Sequence, residues 1–217
     1  MKTSIQTNMR LHFRWLGKYL LLFLVSLVGL GIIIKSVDYY IPDFSKGYLS
    51  DKKNVFDSIF KYGLYAHIAT VPVIFLIGTL QAFFRYEKRY PRLHRVAGNV
   101  YAYSILLISF PGALIISFYA FGGIASKISF VILSILWCYC TYKGWYYGKN
   151  KILQDHKKFM IRSYVLTTSA IMLRVLSFIS IHYFNFSGEN AYAIISWASW
   201  LPALLITELI FYKDRAN

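Results

Sequence analysis

Two histidines could bind a ligand or a metal because of their imidazole side chains and their positions in the sequence. His94 and His156 each stand a few residues before a long apolar run, and each has basic neighbours. These neighbours are Arg92, Arg95, Lys157, Lys158 and Arg162. Paired neutral imidazoles suit haem iron, and a guanidinium such as that of Arg95 or Arg162 suits a haem propionate. One hypothesis is therefore a b-type haem held by His94 and His156.

Other interpretations of this histidine pair stay open. Together with Asp155 the two imidazoles could bind a bare metal ion, although the spacing does not require it. Histidines among basic residues are also typical of a belt that anchors a protein to phospholipid. The fourth apolar run contains no histidine that could complete a second pair. A second haem, and electron transfer across the whole bilayer, are therefore not predicted.

Arg174 is the strongest single feature of the sequence, because it stands inside an apolar run. It lies about ten residues, and hence about 15 Å of helix, from the end of that run and near the middle of a bilayer. A guanidinium there is costly unless it finds partners. Glu208 lies near the opposite end of the last run, so we expect Arg174 to contact carbonyls, tyrosines, His67 or an anionic ligand. A structural role and a ligand-binding role both fit.

Polar residues recur on one face of three apolar runs. Residues about 18 apart share a face of an ideal α-helix, because five turns close almost evenly. Arg174 then shares a stripe with His156, and Tyr101 shares one with His94. We expect these stripes to face one another in an internal polar site lined by His and Arg. The candidate ligand-binding residues are His67, Gln81, Arg85, His94, Arg95, Tyr101, His156, Arg162 and Arg174.

The elements that must position these residues are membrane-spanning helices. The 217 residues are 57% hydrophobic and only 15% charged, which is more apolar surface than one small globule can bury. Runs of about 20 apolar residues predict helices that cross a bilayer. The sequence therefore predicts an all-α, single integral membrane domain over residues 1–217. Its six spans are about 19–34, 62–84, 97–121, 128–147, 159–184 and 191–212, with an outer segment at 36–61.

The basic residues predict how the helices are oriented. Most of the 24 Lys and Arg residues fall in the N-terminal tail, the second-to-third and fourth-to-fifth connections, and the C-terminal end. Lys and Arg are retained on the cytoplasmic side, so both termini are expected to be cytoplasmic. The net charge of +15 is therefore mostly a topology signal, and no nucleic-acid-binding motif accompanies it.

Several short motifs, in order, resemble a family of bacterial membrane proteins, domain of unknown function family 2306. The motifs are His67, "GTLQAFFR" from Gly78, "PRLHRVAGNVY" from Pro91, "YAFGG" ending at Gly123, "WCYCTYKG" from Trp137, "HKKFMIRSY" from His156 and "MLR" ending at Arg174. The resemblance covers about residues 66–179 and leaves the first and last spans outside. It implies a multi-pass protein of the bacterial cytoplasmic (inner) membrane and carries over no catalytic residue.

Two functions remain from this sequence. The first is a non-enzymatic accessory or ligand-binding membrane component that binds a lipid or quinone at the internal polar site. The second is the haem protein that uses His94 and His156. An enzyme acting on lipid has the least support, because neither a Ser–His–Asp arrangement nor an HExxH motif is present. The lipid bilayer is the expected partner, and a membrane-complex partner or a homo-oligomer stays open.

Overall fold

Six long helices form the protein, as the apolar runs predict. In the computed structural model, the structure describes residues 17, 20, 22–45, 47–84 and 89–216. Within these residues the helices that are long and apolar enough to cross a membrane are α1 (Leu22–Tyr40), α2 (Ile59–Phe83), α3 (Pro91–Ser117), α4 (Gly123–Lys149), α5 (Leu153–Phe184) and α6 (Glu189–Lys213). No strand occurs in this part of the chain. The prediction of an all-α bundle with six spans is confirmed.

Several helices begin or end beyond the predicted apolar limits. α3 begins at Pro91 and α5 at Leu153, about two turns before the runs that predict them. Pro91 suits the first helical position because a proline lacks only an N–H that would be unpaired there. Both additional segments are polar, which explains why hydropathy does not report them. They bring His94 and His156 inside the helices instead of before them.

Three of the helices are irregular at defined residues. α3 changes to π-helix over Ser104–Ser109, just before Pro111. A proline lacks an N–H and crowds the preceding turn, and a π-turn is one way in which a helix accommodates it. α5 breaks at Thr168, which ends one α-helix and begins the next. α6 has a similar break after Ala198, where a second α-helix begins at Leu201.

The core lies among α2 to α6, and α1 contributes little to it. A buried cluster joins Ile74, Tyr101, Ile105, Trp137, Cys140, Leu166 and Trp200 from these five helices. Trp200 donates from its indole to the Ser129 hydroxyl at 3.0 Å, which satisfies the one polar atom of a fully buried ring. α1 is almost wholly exposed, and it touches α2 closely where Gly29 meets the Phe75 ring.

A compact segment covers one end of the bundle. This cap segment, residues 37–58, folds as three short 3₁₀-helices at Val37–Tyr40, Gly47–Leu49 and Lys53–Val55. Leu49 and Phe56 from the cap segment are buried with Phe60 and Leu64 of α2. The cap segment therefore packs onto the beginning of α2, and its tyrosines are brought near the bundle interior. We call this end of the bundle the capped end. We call the opposite end, where His94, His156 and their basic neighbours lie, the basic end.

The basic residues predict that the capped end faces away from the cytoplasm. A reporter that is active only outside the cytoplasm should be active when inserted in the cap segment and inactive when fused after Asn217. A reporter that is active only in the cytoplasm should give the reverse pattern. The cap segment follows one span and Asn217 follows six, so the two positions should lie on opposite sides of the membrane. Activity of one reporter at both positions would contradict this orientation.

Candidate functional site

Hydroxyl groups in the middle of the bundle form a closed network. The Tyr101 hydroxyl lies 2.9 Å from the Ser163 hydroxyl and 3.0 Å from that of Thr167. Trp137 donates from its indole to Thr167 at 3.0 Å, and the hydroxyls of Thr141 and Ser163 are 2.7 Å apart. All five side chains are buried, and they join α3, α4 and α5. Because every polar group in this closed network has a partner, its role is to hold the three helices together.

The closed network should contribute measurable stability. Tyr101→Phe removes the hydroxyl that bridges Ser163 and Thr167 without changing the ring, and we expect a loss of about 1–2 kcal/mol. Tyr103→Phe is the matched control, since Tyr103 lies on the same helix but is exposed. Unfolding in detergent, followed by circular dichroism, measures the difference. Equal stability of the two variants would contradict a structural role for the network.

His67 differs from the closed network because one of its ring nitrogens is open. Its Nδ1 lies 3.1 Å from the Ser109 hydroxyl and 3.3 Å from the Ser109 carbonyl oxygen. The ring also meets Trp137 edge-on, with centroids 6.3 Å apart. Among the described residues, every buried side-chain nitrogen or oxygen has a hydrogen-bond partner. No described residue bonds to Nε2 of His67, so this atom is not fully buried. Nε2 of His67 must therefore reach an opening.

Three tyrosine hydroxyls at the capped end also lack a hydrogen-bond partner among the described residues. Tyr39 lies where α1 passes into the cap segment, Tyr48 lies in the cap segment and Tyr192 lies in the first turn of α6. All three are half-buried, and their hydroxyls form no hydrogen bond with a described residue. The rings of Tyr39 and Tyr48 pack edge-on, with centroids 6.1 Å apart, and Tyr192 lies close enough to affect the pKa of Tyr48. The three tyrosines therefore lie in one region of the capped end, and their hydroxyls close no network with the described residues.

Arg174 adds a cation to this group. It is exposed, and its guanidinium donates to the Ala170 carbonyl of its own helix at 3.3 Å. It forms no ion pair with a described residue, and it interacts electrostatically with His67 and with Tyr192. We call His67, Arg174, Tyr192, Tyr39 and Tyr48 the open cluster. Its members come from α2, α5, α6, α1 and the cap segment.

The cap segment places one acid, Asp51, near the tyrosines and pairs it with a lysine. Asp51 interacts electrostatically with Tyr48 and Tyr192, but its carboxylate is paired with the ammonium of the neighbouring Lys52. Lys52 is itself buried and lies over the Tyr48 ring. Burial, followed by the nearby Tyr192, Tyr39 and Asp51, raises the pKa of Tyr48 above its ordinary value. The Tyr48 hydroxyl therefore stays protonated and can donate a hydrogen bond.

The structure brings His94 and His156 together at the basic end. Their ring centroids are 6.3 Å apart and the rings are nearly perpendicular, at 87°. Nδ1 of His156 lies 2.7 Å from the Gly144 carbonyl oxygen, which can only accept, so Nδ1 carries the proton. In the neutral ring Nε2 then keeps its lone pair, which is the arrangement of many metal-binding histidines. A Cβ on Gly148 would lie 2.7 Å from this ring, so a glycine is needed there.

Arg162 is committed to a carboxylate. It makes two hydrogen bonds to Glu208, from Nε at 2.5 Å and from Nη2 at 2.7 Å. The guanidinium also lies 4.9 Å from the ring centroids of Phe159 and Phe211. This ion pair joins α5 to α6 in the half of the membrane near the basic end. Arg162 therefore has a structural partner in place of the haem propionate considered for it.

The nine residues proposed from sequence do not form one site. His67 and Arg174 lie at the capped end, and Tyr101 lies in the closed network. Gln81 donates to the His94 carbonyl at 3.3 Å, about 20 Å along α2 from His67. The basic end thus contains five of the nine residues: Gln81, His94, Arg95, His156 and Arg162. Among these, Arg95 is exposed. Arg85 lies outside the described residues.

The sequence analysis missed most of the open cluster. Tyr39, Tyr48 and Tyr192 follow the pattern of interfacial aromatic residues, which are common and unspecific. Their meeting depends on how the cap segment folds over α2, and no periodic pattern reports that. The glycine at position 122 is one usable signal, because a Cβ there would lie 3.0 Å from the Tyr192 ring.

The fold and its polar interior define an integral membrane protein with six spans, whose interior is joined by hydrogen bonds between hydroxyl groups. The sequence profile of a family described as "Predicted membrane protein (DUF2306)" matches residues 64–211. The chain belongs to this family. The matched region continues past residue 179 and includes most of α6, which the resemblance in the sequence left outside. No curated protein and no solved structure matches the chain.

Proposed function

We propose that this protein binds the polar end of an amphiphilic ligand, a lipid or a quinone, at the open cluster, as an accessory component of a bacterial inner membrane. The observation that carries the proposal is the contrast between its two polar groups. The closed network bonds to itself, whereas His67, Arg174 and three tyrosine hydroxyls leave polar atoms unused. Polar groups in lipid are costly, so unused ones at one opening are best explained by a ligand.

Binding fits the open cluster better than catalysis. The Ser109 hydroxyl beside Nδ1 of His67 has the spacing of a nucleophile and its base. Ser109 is, however, 0% exposed, so no substrate can reach its oxygen. The pair therefore fixes the His67 ring, and the open Nε2 of that ring is left to contact a ligand. The aromatic rings around the cluster suit the apolar part of such a ligand.

A thermal-stability assay tests the proposal. The purified protein in an uncharged detergent is heated with dioctanoyl phosphatidylglycerol or with decylubiquinone, and unfolding is followed by intrinsic fluorescence. At least one probe should raise the unfolding temperature of the wild type. Arg174→Gln should abolish this increase, and Tyr192→Phe should reduce it, while Lys35→Gln, an exposed cation at the same end, should leave it unchanged.

Two results would overturn the proposal. The first is that neither probe stabilises the wild type. The second is that stabilisation is equal in Arg174→Gln, Tyr192→Phe and Lys35→Gln. If Arg174→Gln does not fold, as judged by size-exclusion chromatography, Tyr192→Phe and Tyr48→Phe decide the question, because each removes only a hydroxyl.

A second candidate function is a b-type haem bound by His94 and His156, and the proximity of the two rings favours it. Two imidazoles suffice for haem iron, because the porphyrin supplies the other four nitrogen ligands. A bare ion would need further protein ligands, and the described residues contain no group of three or more His, Cys, Asp or Glu that could hold one. Haem is therefore favoured over the bare metal ion with Asp155.

A visible spectrum tests this candidate. The purified protein is incubated with hemin, and a reduced-minus-oxidised spectrum is recorded. A b-type band should appear in the wild type and disappear in His94→Ala and in His156→Ala. His182→Ala is the matched control, because His182 is exposed and stacks on Phe178 near the other end of α5. A protein that stays colourless, or a band that survives both substitutions, would remove the haem candidate.

A further inference from the structure

We infer that the open cluster recognises an oxyanion, a phosphate or carboxylate group, in preference to a neutral ring such as a quinone. The inference rests on the proposed function and specifies its ligand class. It depends on the kinds of hydrogen-bonding atoms that the open cluster presents and on their net charge.

The first argument is the unused capacity of Arg174. A guanidinium has five N–H donors in a planar fork that matches two oxygen atoms of one anion. One hydrogen bond, to the Ala170 carbonyl at 3.3 Å, is all that Arg174 makes with the described residues. No described carboxylate neutralises it. An oxyanion would accept hydrogen bonds from the remaining donors and would also cancel the charge. A quinone carbonyl would accept hydrogen bonds but would leave the charge of Arg174 uncancelled.

The second argument is that the tyrosines add donors. The hydroxyls of Tyr39, Tyr48 and Tyr192 form no hydrogen bond with a described residue, so each is free to donate one. A cation surrounded by hydroxyl donors favours a ligand that is rich in acceptors, and phosphate and carboxylate oxygens are strong acceptors.

The third argument concerns Asp51, the acid of the cap segment that affects the pKa of Tyr48 and of Tyr192. A free carboxylate beside the open cluster would repel an anion. Asp51 is the acid that interacts with Tyr48 and Tyr192, and it is paired with the buried Lys52. The pair has no net charge, so the open cluster keeps the positive charge of Arg174. Lys52 thus protects the anion preference without contacting the ligand.

The shared chemistry could come from a lipid headgroup or from a free anion, and the experiment separates the two. Affinities are measured by thermal shift for three anionic or neutral probes and for decylubiquinone. Dioctanoyl phosphatidylglycerol carries the anion on acyl chains, dioctanoylglycerol carries the same chains without it, and inorganic phosphate is the anion alone. The expected order is phosphatidylglycerol or phosphate above both neutral probes. Arg174→Gln should weaken anion binding by about 10- to 100-fold, the effect of losing hydrogen bonds to a charged group.

The outcomes distinguish this inference from the proposed function. Binding of phosphatidylglycerol without phosphate assigns the site to a lipid headgroup. Binding of phosphate alone assigns it to a free anion, which keeps the oxyanion inference but overturns the amphiphilic ligand of the proposed function. Arg174-dependent binding of decylubiquinone or dioctanoylglycerol, with no binding of either anion, overturns the oxyanion inference but keeps the proposed function. Failure of all four probes overturns both. Two variants of the Asp51–Lys52 pair complete the test. Lys52→Met should weaken anion binding, because it leaves the Asp51 carboxylate uncompensated. Asp51→Asn should not weaken anion binding, because it removes a negative charge.

Discussion

Glu208→Leu should destabilise the folded protein by about 3 kcal/mol, because it leaves a buried guanidinium without its carboxylate. The exposed fraction is 13% for the Arg162 side chain and 45% for that of Glu208, so the cation is the buried member of the ion pair. An arginine cannot lose its proton in a protein, and the two phenylalanine rings beside it offer no second anion. The expected loss is at the low end of the range for a broken buried pair, since one partner is partly exposed.

Replacing Arg162 instead of Glu208 should reduce the stability of the folded protein by a smaller amount. Arg162→Leu leaves a carboxylate that is more exposed and that can take up a proton, which removes its charge. The double variant Arg162→Leu/Glu208→Leu should recover much of the loss, because no charge is left without a partner. Reversible unfolding in mixed detergent micelles, read as a double-mutant cycle, measures these differences. Additive losses in the double variant would show that the pair is not coupled, and equal losses for the two single variants would contradict the smaller cost expected for Arg162→Leu.

Gly112→Ala should destabilise the protein by about 3 kcal/mol, the upper part of the range for an overpacked core. A Cβ on Gly112 would lie 2.6 Å from the Gly63 carbonyl oxygen and 3.1 Å from the His67 backbone nitrogen. Both atoms belong to the backbone of α2, so no side chain can move aside, and the two helices must separate. Because His67 is held by Ser109 of α3, this separation should also weaken ligand binding at the open cluster.

Another glycine of α3 provides the matched control. A Cβ on Gly98 would meet Gln81 at 3.6 Å, which is an ordinary contact with a flexible side chain. Alanine is the better helix former, so Gly98→Ala should be neutral or stabilise the protein by up to about 1 kcal/mol. The same unfolding assay compares the two variants. A Gly112→Ala variant as stable as Gly98→Ala would show that α2 and α3 are not in close contact at this point.

The sequence by itself determined the number of spans and the helical class. Hydrophobic runs long enough for a bilayer identify a spanning helix without any knowledge of its neighbours, because each helix satisfies its own backbone hydrogen bonds. The face of α3 that carries Tyr101 meets Ser163 and Thr167 of α5, since buried polar groups must find partners. Arg174 and His67 were likewise recognised as unusual from residue type and position.

The tertiary structure alone decided which polar residues share a site. His67 and Gln81 are on the same helix and were expected to act together, yet about 20 Å of helix separates them. The π-helical turn in α3, the break at Thr168 and the fold of the cap segment set the angles at which the stripes meet. These features depend on packing between helices, which the period of one helix does not encode. For that reason the sequence could list the polar residues, while only the structure separated a closed network from an open cluster.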